Sequence, residues 1–426
     1  MQNQPSAPDG PIQTPAGRPR STILFLMITV FLNVIGMSMV FPVLPYVVEH
    51  YLTDPNQLAS VVGWLEASYA ICQFVAAPAL GILSDRYGRR PILFICMFGT
   101  MLGFALFGIG GALWVLFLSR VIDGFTGGDN SVLFAYLADI SKPEERGKLF
   151  GRIGGLLGVG MLVGPAIGGF AATWGYSVPF YLAAAIFLIT IVWGLFVMPE
   201  SLPPEKRVQQ IRLADLNPLA QISNVFAIKR LRWLIVASLC HGLPFAMFTT
   251  IFAVLIINAL HWQVGTTGLL LLVNGTIDII MQGFVSERLI ARWGEVRLTI
   301  AGLIGLALSF GLIGLIAIVP EPLILFAGMV FFATSSGLLE PSLRTLIANA
   351  TPDEEQGMVQ GSTTALSAAA NIVAPILAGM LYVQFGGETP YWFGAVLLLL
   401  GIVAMRLASQ QLDLRRVGEP IEATAS

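Results

Sequence analysis

Charge is scarce in this chain. Of 426 residues only 25 are Asp or Glu and 23 are Lys or Arg, 11% in all, whereas soluble domains carry about a quarter. A water-soluble globule is therefore excluded, and the 56% apolar content points to a protein that lives in lipid. Cysteine is almost missing as well. Cys72, Cys96 and Cys240 all fall in apolar runs, so no disulfide framework is expected and the three read as small packing residues. No phosphate-binding loop, zinc cluster or nucleophile elbow is present, and no soluble domain could hold one. An enzyme is not expected, nor is a cofactor or a metal. The net charge of −2 offers no footprint for nucleic acid.

What the chain has in quantity is long apolar runs. A helix needs about 20 such residues to cross ~30 Å of hydrocarbon. Twelve runs meet that need, at 22–46, 57–83, 91–112, 114–138, 149–171, 178–198, 232–258, 266–290, 297–319, 322–348, 358–384 and 390–408. Lys and Arg mark the cytoplasmic side. They cluster at Arg18 and Arg20, Arg86 to Arg90, Lys142 to Arg152, Lys206 to Arg232, Arg288 to Arg297, Arg344 and Arg406 to Arg416, and the six opposite loops have none. Both termini are expected in the cytoplasm. Residues 1–21 are Pro- and Gln-rich without a cleavable signal pattern and read as a disordered tail; 409–426 form the tail at the other end.

Residues 199–231 are the longest polar stretch between spans and read as a linker joining a six-helix bundle at 22–198 to a second at 232–408. A repeat supports that division. Gly81-Ile-Leu-Ser-Asp-Arg86 recurs as Gly283-Phe-Val-Ser-Glu-Arg288, and Gly164-Pro-Ala-Ile-Gly-Gly169 recurs as Ala374-Pro-Ile-Leu-Ala-Gly379. Six spans per copy give both copies one orientation, a parallel repeat about an axis normal to the membrane. The expected fold class is all-α integral membrane, with twelve transmembrane helices in two six-helix halves.

Three motifs give the chain a family likeness. The loop after the second span carries Gly81, Asp85, Arg86, Gly88, Arg89 and Arg90 in the pattern G-x-x-x-D-R-x-G-R-R. Span 4 has Arg120, Gly124 and Gly127 as R-x-x-x-G-x-x-G, and span 5 has Gly160, Gly164, Pro165, Gly168 and Gly169 as G-x-x-x-G-P-x-x-G-G. In these the chain resembles the major facilitator superfamily, and within it the twelve-span drug:proton antiporters, including bacterial tetracycline and multidrug exporters. The resemblance implies the major facilitator fold, a multi-pass place in a bacterial cytoplasmic membrane, a monomer, and a small-molecule substrate exchanged for protons. It also implies that the first loop latches the halves in an outward-open state and that Arg120 takes part in proton transfer.

Residue chemistry gives each motif a reading of its own. Asp85 ends a helix and Arg86, Arg89 and Arg90 follow it, so the carboxylate pairs with a neighbour while the arginines grip acidic groups or lipid phosphates. Asp139, Glu144 and Glu145 are the available acids; the plainer alternative is a positive-inside anchor. In span 5, Gly154 with Gly158, Gly160 with Gly164, and Gly164 with Gly168 make patches where another helix approaches, and Pro165 bends the helix near its outer end. Gating and static packing both fit.

Ionisable groups at membrane depth cost at least about 2.5–3.5 kcal/mol each, so the few present are candidates for coupling. Arg120 and Asp123 share a helix face, as a protonation switch or a structural pair. Glu340 has Arg344 a turn away and is a proton or cation site, a structural partner of that arginine, or a solvated residue of the cytoplasmic mouth. Glu66 falls in the outer half, as a second proton acceptor or a plain outer-mouth residue. Asp278 forms a stripe with Asn274 and Gln282 that should line water or the interface between halves. Asp129 and His241 are weaker candidates, a lone His in an apolar run being more often a packing residue.

The first span departs from the tetracycline exporters, whose acidic residue is Asn33 here. That puts the proton site and tetracycline itself in doubt. Asn33, Gln73, Asn130, Phe245 and Asn371 are the expected cavity lining. The reading that follows is proton-coupled export of a lipophilic, drug-like compound by rocking of two halves. A facilitator for a sugar, organic acid or siderophore is the alternative, and a non-transporting membrane sensor a remoter one.

Overall fold

In hydrocarbon every backbone N–H and C=O must be satisfied within the chain, so apolar runs become helices. The computed structural model describes residues 20–141, 143–208, 231–352 and 355–412, and within them no strand occurs. The helices are α1 (Arg20–Ser38), α2 (Leu44–Glu49), α3 (Leu58–Tyr87), α4 (Arg89–Ile109), α5 (Leu113–Thr126), α6 (Asp129–Ile140), α7 (Pro143–Ala171), α8 (Val178–Val197), α9 (Arg232–Leu260), α10 (Val264–Ile280), α11 (Ser286–Trp293), α12 (Glu295–Leu315), α13 (Pro322–Ala350), α14 (Gln356–Phe385) and α15 (Thr389–Leu412). Ten helical segments among the described residues are long and apolar enough to cross a membrane, and Ile23–Ser38 is a shorter apolar one.

Every expected span is helical, and three are interrupted for visible reasons. The first breaks after Ser38, ahead of Pro42 and Pro45, and resumes as α2. The fourth breaks at Gly127–Gly128 between α5 and α6, two residues of poor helix propensity. The eighth passes through a π-turn at Met281–Val285. The expected tails and most of the linker lie outside the described residues; its start, 199–208, is described, and α15 runs on to Leu412.

Buried apolar side chains form two clusters. One is built mainly from Phe25 to Met198 and takes in Ala253, Val254, Ile257 and Val264. The other runs from Leu231 to Ala408. They meet closely at the end opposite the arginine loop. A Cβ on Gly268 would come 2.8 Å from the Pro165 carbonyl oxygen and 3.1 Å from Gly169 Cα, and one on Gly379 2.7 Å from the Ala59 carbonyl oxygen. Tyr46 adds a hydrogen bond to the Trp262 carbonyl (2.9 Å) and another with Thr267 (3.0 Å). That far end is sealed by backbone lying on backbone.

Candidate functional site

The face of α3 that carries Glu66, Tyr69 and Gln73 lies against span 4, because Gly124, Gly127 and Gly128 leave no side chain between the two helices. The break at Gly127 releases its carbonyl, which accepts from Gln73 Nε2 at 2.8 Å; the same amide donates to Tyr69 Oη at 2.9 Å. Gln73 is thus a strut between spans rather than a free lining group.

Beside this strut lies the buried charge cluster. Arg120 Nη1 is 3.5 Å from Asp123 Oδ2, and the two residues are 5% and 2% exposed. The guanidinium carbon sits 5.0, 5.7 and 5.9 Å from the rings of Phe107, Phe104 and Tyr69, a cation–π cage that partly replaces water. Glu66 shares this field, interacting with the charges of both Arg120 and Asp123. The glycine-lined approach of α3 to span 4 brings it within reach of that field. Arg120 Nε and Nη2 and Asp123 Oδ1 are buried without hydrogen-bond partners. A guanidinium with unused donors beside one carboxylate and in the field of a second is able to change partner when one of them takes a proton.

A second site lies in the other core. A cavity of about 850 Å³ is lined by α9, α13 and α14. It runs from Phe245 and Asn371 to Thr351 and Gln356, about 22 Å along α14 at 1.5 Å per residue, toward the end that carries the arginine loop. Glu340 Oε1 and Arg344 Nη2 are paired on its wall at 2.6 Å, with side chains 36% and 76% exposed. Sequence reasoning missed most of the polar lining on α14: Gln360, Thr363 and Ser367 lead up to Asn371. Their spacing of three to four residues was a legible signal, diluted by intervening alanines. His241 also borders this cavity.

Several expected lining or interface groups lie elsewhere. Asn33 is buried, its Oδ1 without a partner. The side chains of Asn130, Asp129, Glu144 and Glu145 lie outside the described residues. Asp278 accepts from Gln282 at 2.7 Å and faces Ser336 and Gly337 of α13, while Asn274 donates to the Met329 carbonyl of that helix at 3.4 Å. Asp278 and Asn274 therefore join two helices within the second core, where Gly337 leaves room for them, while Gln282 stays exposed.

At the arginine loop, Arg89 binds Asp85 (2.6 Å), Asp139 (3.3 Å) and Ser84 Oγ (2.6 Å). Arg90 donates to the Leu195 carbonyl at 2.7 Å, and Arg86 lies over its neighbour Tyr87. Gly88 takes φ +107, where a side chain is strained, and marks the turn into α4. Glu200, which sequence reasoning did not single out, accepts from the backbone N–H groups of Arg89 (2.9 Å) and Arg90 (3.3 Å), capping α4. Gly81 has open space around it.

The span-5 glycines divide. Gly160, Gly164 and Gly168 pack on Val34, Ser38 and Met39 of the first span, and Gly169 on Gly268 across the far-end seal. Gly154 and Gly158 have nothing within 4 Å of a Cβ, so the expected close approach there is corrected: α7 meets its neighbours along its later turns. The α-helix continues through Pro165.

Comparison with known proteins gives the family. The family model described as Major Facilitator Superfamily matches residues 26–364 and 234–420. The chain is 30% identical over 389 residues to tetracycline resistance protein, class C, of Escherichia coli, covering 91% of this chain and 96% of that one. It is 25% identical over 390 residues to multidrug resistance protein 2 of Bacillus subtilis (strain 168), covering 90% and 94%. The crystal structure of the human organic anion transporter MFSD10 superposes with a TM-score of 0.67 at 22% identity, covering 91% of this chain and 100% of that one, a likeness of fold. With the family model spanning most of the chain and a close relative aligned nearly end to end, the protein belongs to the Major Facilitator Superfamily.

Proposed function

We propose that this protein is a proton-coupled exporter of a small lipophilic, drug-like compound, working by alternating access in a bacterial cytoplasmic membrane. One observation carries the reading. A cavity of about 850 Å³ with an ion pair on its wall reaches toward the arginine-loop end, while the far end is closed by backbone contacts between the two cores. A volume of that size suits a drug-sized molecule. The positive-inside rule makes the arginine-loop end cytoplasmic, so the cavity faces the cytoplasm and the seal faces outward. Both termini are cytoplasmic in this reading, the six-helix units are 22–198 and 232–408, and the working unit is a monomer. The names of the relatives, tetracycline and multidrug resistance proteins, support export over a facilitator role.

Arg120, Asp123 and Glu66 handle protons in the first half, and Glu340 with Asp278 does so in the second. Phe245 and Asn371 contact the substrate. The loop with Gly81, Asp85, Arg86, Gly88, Arg89, Arg90 and Asp139 latches the inner side when the outer side opens; among the described residues its bonds join the first half and the start of the linker. Gly164, Pro165, Gly168 and Gly169 form the outer gate.

Expression in a pump-deficient bacterial strain, with a panel of dyes and antibiotics that includes tetracycline and ethidium, is expected to raise tolerance to some members. Everted vesicles should then release protons when those compounds are added, and Asp123→Asn should abolish that release. Tolerance without proton release would overturn the coupling.

A further inference from the structure

His241 stands on α9 between two unlike surroundings. Its ring borders the polar cavity together with Glu340 and Arg344 and also a narrow apolar crevice made with Phe310, Phe332 and Leu398. Phe245 lies beside it, ring centroids 5.9 Å apart. Nε2 is fully enclosed and has no hydrogen-bond partner. Enclosing such a group unpaired costs about 1–3 kcal/mol, a cost a packing residue would not impose and that Leu or Phe would avoid.

The charges that act on the imidazole are Glu340 and Arg344, both from α13. The other helices around it present uncharged groups: Ser367 and Asn371 from α14, Leu306 and Phe310 from α12, and Leu398 from α15. A charged imidazole would therefore have one counter-ion within reach, the carboxylate now held by Arg344. That arginine is 76% exposed and leaves for water at little cost, since exposed ion pairs contribute only about 0–1 kcal/mol.

We propose that His241 is a further proton-binding residue of the cavity, acting with Glu340 as its counter-ion, which Arg344 releases when the imidazole becomes charged. The proton passes to cavity water on the side of the ring that borders the cavity, after which the carboxylate is free for Arg344 or for a cationic group of the substrate. Proton and cationic substrate then compete for one carboxylate, which is what exchange demands. This step rests on the export reading above.

The chain has three histidines, His50, His241 and His261, so its imidazoles can be followed one by one. The full-length protein, 15N-labelled at histidine and held in lipid nanodiscs, is titrated by NMR over roughly pH 4 to 9, around the range in which imidazole changes charge. The His241 signal is assigned by its loss in His241→Asn, or by elimination with His50→Asn and His261→Asn if that variant does not fold. A reversible titration is expected. Glu340→Gln should weaken proton affinity about tenfold or more, and Arg344→Gln should strengthen it, as removal of an opposite and a like charge requires. A His241 signal that stays neutral throughout, or one indifferent to both substitutions, overturns the proposal. The titration needs no substrate: a silent His241 in a chain that exports would sink this inference alone, and a responsive one in a chain that moves nothing would sink the export reading alone.

Discussion

Substituting Gly268 by Ala tests whether the far-end seal is a gate. The added Cβ meets the Pro165 carbonyl oxygen at 2.8 Å and Gly169 Cα at 3.1 Å. Both contacts are with backbone, which cannot rotate away, so α7 and α10 must separate. Overpacking of this kind costs about 1–3 kcal/mol, and the cost falls only on the conformer in which the helices touch. The helix-propensity gain of Gly→Ala, about 1 kcal/mol, is common to both conformers and cancels. The equilibrium should therefore move toward the outward-open form by a factor of about 5 to 150. Spin labels at Asn56 and Gln384, on a background without native cysteines, report the separation of the two halves at the far end by pulsed electron resonance. The parent should give mainly the short distance, and Gly268→Ala a second, longer population. Gly311→Ala, where a Cβ meets nothing within 4 Å, serves as the control and should leave the distribution unchanged. An unaltered distribution in Gly268→Ala would refute the gate, because the overlap would then have been absorbed without parting the helices.

Tyr46→Phe removes two hydrogen bonds across the same seal and should shift the same spin-label distribution in the same direction by about 1 kcal/mol, with little change in thermal stability. Arg120→Met leaves Asp123 buried without its cation; breaking such a pair costs about 3–5 kcal/mol, and the melting temperature in detergent should fall accordingly, with Asp123→Asn in the same background restoring part of it. Glu200→Ala uncaps α4 and should cost about 1 kcal/mol of stability, read as a lower melting temperature. Gly158→Leu, at an open position, should be tolerated for insertion and folding, whereas Gly168→Leu, which runs into the Met39 backbone, should fail to accumulate in the membrane.

Composition and period were enough for the membrane class and the positions of the helices that can cross it, since lipid admits few alternatives to a helix and charge is tolerated only at its ends. Arg120 with Asp123 was also legible, because residues three apart on a helix meet regardless of tertiary context, and Asp139 was legible as an acid available to the arginine loop. Contacts between helices distant in sequence were not legible. Nothing local says that Glu66 joins Arg120, that Asp278 turns to α13 instead of the interface between halves, that Gly158 faces open space while Gly168 bears on Met39, or that Glu200 reaches back to cap α4. Those outcomes depend on how each helix is rotated and which neighbour it meets, and in a chain whose helices are apolar nearly all round, only the assembled packing of small residues decides it.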